Sequence, residues 1–253
     1  MVVLIKVGFS CKIVHGDFMK KLIMTDLDCT LLIMDQDLYI QKYVNEIAKM
    51  FYELGYDGKF IAKSTMQASM MMAKNDGSKT NAVAFEEAFE SIVGDGARKI
   101  IELFDDVYGD RYNSIKEITT FNPKAQEIVS LMREKAEYIV VATQPMFPLE
   151  AVRKRLSWTG LEVEMFDHVT VYDNSTYCKP NPLFYKEIMD KFGVSAEETL
   201  MIGNDVTEDI LPCQKLSVDT FLVMDGLINT INHDLSGIRK GGYDDLIAYL
   251  KSL

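Results

Sequence analysis

Two aspartates, Asp26 and Asp28, directly follow an apolar run near the beginning of the sequence. The run, residues 21–24, is mostly apolar and has the composition of a buried parallel strand that ends in polar residues. Ligands of parallel sheets bind just beyond the carboxyl ends of the strands, which is where both carboxylates are expected. An aspartate is ionised at neutral pH and can act as a nucleophile or bind a hard cation. The alternative for this pair is a structural role in turning the chain after the strand.

Further polar signals occur at the ends of later apolar stretches and before a later helix. They are, in chain order, Thr143, Lys179, and the pair Asp205 and Asp209. Because a parallel sheet brings the carboxyl ends of its strands to one edge, we expect these side chains to meet the first two aspartates there. A lone threonine or lysine at such a position is usually structural or solvated. Their occurrence together with the aspartates therefore carries the functional argument.

Strand and helix patterns alternate from residue 118 onwards. Apolar runs typical of strands occur at 138–142, 168–171, 199–202 and 221–224, and segments with helical spacing lie between them. Asn181-Pro182 is typical of a helix start, with a capping residue before a first-turn proline. Repeated strand-helix units predict an α/β fold with a doubly wound, Rossmann-like parallel sheet.

The segment between the first strand and residue 118 shows only helical patterns. Apolar residues recur there at three- and four-residue steps, and no strand pattern interrupts residues 38–113. We therefore predict an all-helical cap domain over residues 35–116, with one of its helices over 96–113. The catalytic core would comprise residues 19–34 and 117–253, and residues 1–18 are interpreted as an N-terminal appendage.

Composition limits the classes of function. The 253 residues carry a formal net charge of −11, which argues against sequence-independent binding to nucleic acid. No apolar stretch approaches the length of a membrane span, and no signal peptide is evident. Four cysteines without metal-ligand spacing are typical of reduced thiols. These features predict a cytoplasmic protein that binds a small molecule rather than nucleic acid or a membrane. We expect it to be a monomer or homodimer.

The polar positions together resemble the haloacid dehalogenase superfamily of phosphatases. Four motifs occur in the order of that family: Asp26-Leu27-Asp28-Cys29-Thr30, Thr143 at the end of an apolar strand, Lys179-Pro180-Asn181-Pro182, and Gly203-Asn204-Asp205-Val206-Thr207-Glu208-Asp209. The helical block lies where that family inserts a cap domain. The resemblance implies a magnesium-dependent phosphomonoester hydrolase that acts on a small phosphorylated metabolite, similar to phosphoglycolate phosphatases or nucleotidases.

The resemblance also implies a role for each matching residue. Asp26 would attack phosphorus and form an aspartyl-phosphate, while Asp28 would act as general acid and base. Thr143 and Lys179 would bind the phosphoryl group, with Gln144 beside them. The set that would hold Mg²⁺ comprises the Asp26 side chain, the Asp28 backbone carbonyl and the fourth-motif residues Asn204, Asp205 and Asp209.

Two positions depart from the family pattern and leave alternatives open. Asparagine is more familiar than Gln144 after the threonine, and Gly-Asp often begins the fourth motif where Gly203-Asn204 stands here. Asp205, being charged, is the better expected metal ligand, although Asn204 offers a carbonyl oxygen. The loop 74–81 is the most polar of the helical block, and Lys79 is its candidate substrate contact; a solvent-facing helix connection is the alternative.

Other functions share these chemical groups. A phosphomutase of the β-phosphoglucomutase kind has the same four motifs. Receiver modules also place acidic residues, threonine and lysine around magnesium, and they accept a phosphoryl group without turnover. Receivers are, however, about half as long as this chain and lack a helical insertion after the first strand.

Overall fold

The computed structural model describes residues 20–253, so the appendage predicted for residues 1–18 lies outside the described residues. This part of the chain forms eight strands, some of only two residues. They are β1 (Lys20–Thr25), β2 (Ile33–Met34), β3 (Thr119–Thr120), β4 (Ala136–Val141), β5 (His168–Val169), β6 (Thr199–Gly203), β7 (Asp219–Val223) and β8 (Lys240–Gly241).

The same part of the chain forms ten α-helices. They are α1 (Gln36–Glu53), α2 (Gly58–Met72), α3 (Asn81–Val93), α4 (Ala97–Glu102), α5 (Phe104–Val107), α6 (Ala125–Lys135), α7 (Leu149–Trp158), α8 (Pro182–Phe192), α9 (Leu211–Lys215) and α10 (Tyr243–Ser252). A 3₁₀ segment spans Asp110–Ile118, and a short π-helix, Val206–Ile210, precedes α9. None of these described helices is both long enough and apolar enough to cross a bilayer.

Six strands form one parallel sheet in the order β5-β4-β1-β6-β7-β8. β1 lies between β4 and β6, and Leu22 is in register with Tyr138 on one side and Thr199 on the other. The order shows that β1, the first described strand, lies near the middle of the sheet and that the later strands are added outward on both sides. The predicted α/β fold with a doubly wound, Rossmann-like sheet is confirmed.

Alternating side chains of the central strands pack against helices on the two faces of the sheet. Leu22 and Met24 join one buried cluster with residues of α8 and α9. Ile23 lies in the other cluster, with residues of α6, α7 and α10. Successive side chains of a strand point to opposite faces, so a run that is apolar throughout can be buried on both sides.

The helical segment α1–α5 is inserted between β1 and β4. The chain enters it through β2 and returns through β3, and these two short strands pair antiparallel with Ile33 opposite Thr120. The Asp35 side chain accepts a hydrogen bond from the Leu38 amide and caps the start of α1. Two short connections therefore join the segment to the sheet. The predicted domain limits at 34/35 and 116/117 stay predictions.

One helix prediction inside this segment is wrong. The sequence predicted a single helix over 96–113, but α4 ends at Glu102 and α5 at Val107 before the 3₁₀ segment begins. Gly109 stands between α5 and that segment with a non-helical backbone (φ −72°, ψ −140°). Because a glycine adopts such a conformation at little cost, the apolar spacing continues while the helix does not.

Candidate active site

The tight turn after β1 fixes the position of the first motif. The Asp26 amide donates to the Ile202 carbonyl of β6 (2.8 Å), which anchors the strand end. The Leu27 carbonyl then accepts from the amides of Leu31 and Leu32 (2.9 and 2.8 Å). Only 7% of Asp26 is exposed, so its carboxylate lies in a site largely shielded from bulk water.

Lys179 links the first motif to the fourth. Its Nζ donates to Asp26 Oδ1 and to Asp209 Oδ1, each at 2.7 Å. All three side chains are buried. A charged group is rarely buried without a partner, and here one ammonium serves two carboxylates. When both carboxylates are ionised, the site thus contains one more negative charge than its lysine neutralises.

The loop after β6 closes on Asp209. The Asp209 Oδ2 atom accepts from the amides of Asn204 and Asp205, both at 3.0 Å. Asp205 in turn caps the π-helix, because its Oδ1 accepts from the amides of Thr207 and Glu208. These contacts leave no room for a larger residue at Gly203, where an added Cβ would lie 2.3 Å from Asp209 Oδ2.

Thr30 connects Asp26 with the loop after β6. Its hydroxyl lies 2.8 Å from Asn204 Oδ1 and 3.2 Å from Asp26 Oδ2. Asn204 also donates through Nδ2 to the Gly226 carbonyl (2.8 Å), which fixes the orientation of its amide. The Asn204 oxygen is therefore turned toward the Asp26 side of the site.

Asp28 has a cation of its own. The Nη1 atom of Arg155, from α7, pairs with Asp28 Oδ2. Arg155 is 1% exposed and is the largest fully buried side chain of the described residues. Thr143 lies two residues after the end of β4 and is also buried. Its carbonyl accepts a hydrogen bond from the Thr170 hydroxyl (2.7 Å). Asp26 and Asp28 thus have different counter-ions although they are two residues apart.

Gln144 positions the backbone of Lys179. Its Nε2 donates to the Lys179 carbonyl (3.1 Å), and its Oε1 accepts from the Lys179 amide (3.0 Å). The Glu208 Oε1 atom lies 3.5 Å from Gln144 Nε2, at the limit of hydrogen-bond distance. In this arrangement Gln144 holds the lysine loop to the loop after β4.

Burial dominates the electrostatics of the carboxylates. It raises the pKa of Asp26 to about 7, against the opposing effect of Lys179. Burial likewise raises the pKa of Asp28, and Arg155, Lys179 and the Thr143 hydroxyl oppose that rise. For Lys179, burial disfavours the charge, but Asp209 and Asp26 outweigh it and raise its pKa. The lysine therefore stays protonated, while the ionised form of Asp26 is costly without a further cation.

Lys79 lies apart from this cluster. Its ammonium pairs with Glu87 (2.6 Å), and both residues line an open groove of about 420 Å³ on the helical segment. The same loop contacts the core, because Asn81 donates to the Tyr177 carbonyl (3.2 Å). Between residues 20 and 253, no hydrogen bond or ion pair joins Lys79 to Asp26 or its partners. Its role as a substrate contact stays a prediction.

The donor atoms at the strand ends suit a hard cation. The carboxylates of Asp26 and Asp205 and the amide oxygen of Asn204 are oxygen donors of the kind that Mg²⁺ prefers. No group of three His, Cys, Asp or Glu side chains converges as a metal cage within the described residues. Since Mg²⁺ is typically held by one or two carboxylates together with water and phosphate oxygens, this donor set fits it.

Sequence reasoning missed Arg155. It lies one helical turn after Ala151 and Val152 of α7, which are buried, and directly before buried Leu156. An arginine on the apolar stripe of a helix is a detectable signal, because a buried arginine needs a partner. The sequence alone does not identify Asp28 as that partner, since the pair is separated by 127 positions.

The fold and the acidic cluster define a Rossmann-like α/β protein with its site at the carboxyl ends of the central strands. Residues 23–223 match the family model of haloacid dehalogenase-like hydrolases. The match covers most of the chain, so the protein belongs to this hydrolase family. The superfamily resemblance inferred from four motifs is confirmed.

Two curated relatives are phosphatases by name. The pyrophosphatase PpaX of Oceanobacillus iheyensis is 28% identical over 156 residues, which cover 60% of this chain and 68% of that protein. The phospholysine phosphohistidine inorganic pyrophosphate phosphatase of Bos taurus is 30% identical over 70 residues, 28% of this chain. That match spans 26% of the bovine protein, so it covers only a part of it.

A solved structure shows the same fold. The putative HAD-hydrolase YfnB of Bacillus subtilis, bound to magnesium, superposes with a TM-score of 0.54 at 18% identity. The superposition covers 92% of this chain and 99% of that one. At this identity the likeness concerns the fold, and it includes the helical segment as well as the sheet.

Proposed function

We propose that this protein is a magnesium-dependent phosphomonoester hydrolase that works on a small phosphorylated metabolite through an aspartyl-phosphate. The observation that carries the proposal is the buried group formed by Asp26, Lys179 and Asp209, with Asp28 beside it. A carboxylate held against a lysine at a strand end, and shielded from water, is suited to attack an electrophilic phosphorus. Membership of the hydrolase family and the phosphatase relatives support this reaction.

Asp26 is the proposed nucleophile. One of its oxygens would attack phosphorus in line with the leaving oxygen, and the ester bond would break as the acyl-phosphate forms. Asp28 would donate a proton to the leaving alkoxide and then take one from the water that hydrolyses the intermediate. Burial raises the pKa of Asp28, which is the direction that proton donation requires, and the Arg155 guanidinium opposes that rise.

The remaining residues would stabilise charge on the transferring group. Lys179 would compensate the phosphoryl charge that develops in the transition state, and the Thr143 hydroxyl would bind a phosphoryl oxygen. Gln144 would act through the Lys179 backbone that it holds. Asp209 would orient the lysine while accepting two backbone amides of the fourth motif.

Asp26, the Asp28 carbonyl and Asp205 are the proposed holders of Mg²⁺, with Asn204 as the alternative and Asp209 behind them. Bound there, the ion would screen the repulsion between carboxylate and phosphate and favour ionised Asp26. The negative charge of Asp26 and Asp209 around the single ammonium of Lys179 supports the assignment. Burial disfavours the ionised form of Asp26 more than Lys179 favours it, and a bound cation would offset the difference.

The helical segment is the proposed cap. It would cover the strand ends and exclude water during transfer, and β2 and β3 are placed where a hinge would be needed. The loop 74–81 touches the core loop that precedes Lys179, because Asn81 bonds the Tyr177 carbonyl. That contact supports a role for the loop, with Lys79, in selecting the leaving group.

A phosphate-release assay tests the proposal. The protein would be incubated with a panel of phosphorylated metabolites and Mg²⁺, and free phosphate would be measured. We expect turnover that Asp26→Asn abolishes, because an amide is nearly isosteric with a carboxylate but a poor nucleophile. An isomerised sugar phosphate would instead show a mutase, and a lasting phosphoprotein without turnover a receiver. Full activity after exhaustive chelation would refute the metal requirement.

A further inference from the structure

Arg155 uses only part of its hydrogen-bonding capacity. Its Nη1 atom pairs with Asp28, whereas Nε and Nη2 are buried and have no hydrogen-bond partner among the described residues. Buried donors are nearly always paired, and leaving one unpaired is costly. Two unpaired donors on one buried guanidinium therefore indicate a missing partner.

The two free donors form one edge of the guanidinium. The N–H of Nε and one N–H of Nη2 point in parallel, and this edge binds both oxygens of a carboxylate or two oxygens of a phosphate. The edge that carries Nη1 is occupied by Asp28. Arg155 thus has a complete bidentate site available beside the proposed acid-base residue.

Aromatic rings surround the guanidinium. Its Cζ atom lies 4.9 Å from the centre of the Phe147 ring and 5.8 Å from that of Tyr39. The Tyr39 hydroxyl bonds the Tyr112 hydroxyl (2.5 Å), so it is committed elsewhere. Tyr39 and Tyr112 belong to the inserted segment, whereas Phe147 and Arg155 belong to the core. The guanidinium therefore lies where the proposed cap meets the core, and cap opening would give a ligand access to its free edge.

We propose that the Nε–Nη2 edge of Arg155 binds a second anionic group on the leaving portion of the substrate. The substrate class is then a phosphomonoester or phosphoanhydride whose leaving group carries a carboxylate or a further phosphate within a few bonds of the ester oxygen. The assignment rests on the proposed function, because Asp28 marks the leaving oxygen only if it is the general acid. Asp26, Asp28 and Arg155 would then contact phosphorus, leaving oxygen and distal anion in turn.

A purely positioning role is the competing explanation. Arg155 could serve only to hold Asp28, and its loss would then impair proton donation to every substrate with a poor leaving group. The distal-anion role makes a different demand, because it affects only those substrates that carry the second charge. Ligands matched in all but that charge separate the two.

Binding of inert phosphonates tests the inference without turnover. Calorimetric titration with Mg²⁺ would compare phosphonoacetate and methylenediphosphonate with ethylphosphonate, which lacks the second anionic group. We expect at least one of the two ligands with a second anionic group to bind the wild type tenfold or more tightly than ethylphosphonate does, and we expect Arg155→Lys to lose that preference. Phosphonoacetate reports a carboxylate and methylenediphosphonate a phosphate. Arg153→Lys, on the exposed side of the same helix, is the matched control and should keep the preference.

Trp158 supplies an independent readout. It is the only tryptophan of the chain, lies in α7 and stacks on Tyr112 (5.5 Å between ring centres). Its fluorescence should respond to the preferred anion in the wild type and not in Arg155→Lys. If Arg155→Lys does not fold, as judged by circular dichroism, the same titrations with Arg155→Gln and the preference of the wild type among the three phosphonates decide whether the anion site exists. Equal affinity of the wild type for all three phosphonates overturns the inference.

Kinetics separates the inference from the proposed function. Phosphoglycolate, propyl phosphate and p-nitrophenyl phosphate would be compared by kcat/KM in wild type and Arg155→Lys. Pyrophosphate would be assayed beside them, and a loss at least tenfold larger for phosphoglycolate or pyrophosphate than for propyl phosphate supports the distal-anion site. Equal losses for the charged and uncharged alkyl esters overturn it in favour of positioning. Absence of hydrolysis of all these compounds contradicts the proposed function, while the phosphonate titration still decides the anion site.

Discussion

Asp26→Asn should stabilise the metal-free protein while it removes turnover. In the absence of a divalent cation, burial raises the pKa of Asp26 from 3.8 to about 7, although Lys179 opposes the rise. At pH 8 the folded protein must therefore hold an ionised carboxylate in an environment that disfavours it. Asparagine has almost the same shape, carries no charge and still offers an oxygen to the Lys179 ammonium.

The size of the effect follows from linkage between protonation and folding. A pKa that rises from 3.8 to about 7 on folding corresponds to about 4 kcal/mol of lost stability above pH 7. Because folding raises the pKa of Asp26, the wild-type protein keeps its full stability below pH 4, where this group is protonated in both the folded and the unfolded state. That stability is lost as the pH rises through 7 and the folded group ionises. The advantage of Asp26→Asn over the wild type should thus grow from pH 4 to 7 and then level off.

Thermal and denaturant unfolding in EDTA would measure this difference. Because 1 kcal/mol shifts Tm by about 2–4 °C in a domain of this size, the variant should unfold about 10 °C higher at pH 8. Mg²⁺ should stabilise the wild type more than the variant, since the ion binds the folded carboxylate. Asp190→Asn, at an exposed helix position, is the control and should change little. A variant equal to or less stable than the wild type at pH 8 refutes the reasoning.

Three further changes test neighbouring parts of the site. Asp205→Ala should raise the Mg²⁺ concentration needed for activity far more than Asn204→Ala, and the reverse order in a metal titration would assign the ligand to the amide. Gly203→Ala should cost about 1–3 kcal/mol and most of the activity, because the new Cβ displaces Asp209; Gly237→Ala, with open space around it, should be neutral in the same unfolding assay. Lys79→Ala should lower kcat/KM for the true metabolite but hardly for p-nitrophenyl phosphate, and equal losses would remove Lys79 from the specificity argument.

The sheet was predictable because its central strands are buried on both faces. β1, β4, β6 and β7 appear in the sequence as apolar runs closed by polar residues, and their order follows from alternation with helices. β2, β3, β5 and β8 have two residues each, too few to show a period, and β5 was predicted only as part of the longer run 168–171. The broken helix after residue 96 was missed because apolar spacing persists through a segment whose backbone changes type at Gly109.

The motif residues were predictable as a group, because parallel strands deliver their carboxyl ends to one edge. Their individual contacts were not. The sequence does not show that Lys179 serves both Asp26 and Asp209, because that depends on how three loops pack. Arg155 lies outside every motif, and its importance follows only from its burial beside Asp28.

The different counter-ions of Asp26 and Asp28 suit the two carboxylates to different tasks. Asp26 shares one lysine with Asp209, so the two ionised carboxylates together keep a net negative charge that a divalent cation can neutralise. Asp28 has a whole arginine to itself and needs no further cation for charge balance. Carboxylates whose environments differ are suited to separate roles in acid, base and nucleophilic chemistry. On this reasoning Asp26 is the proposed nucleophile and holder of Mg²⁺ and Asp28 the proposed proton donor, and the free edge of Arg155 is the site that we propose for the anion of the leaving group.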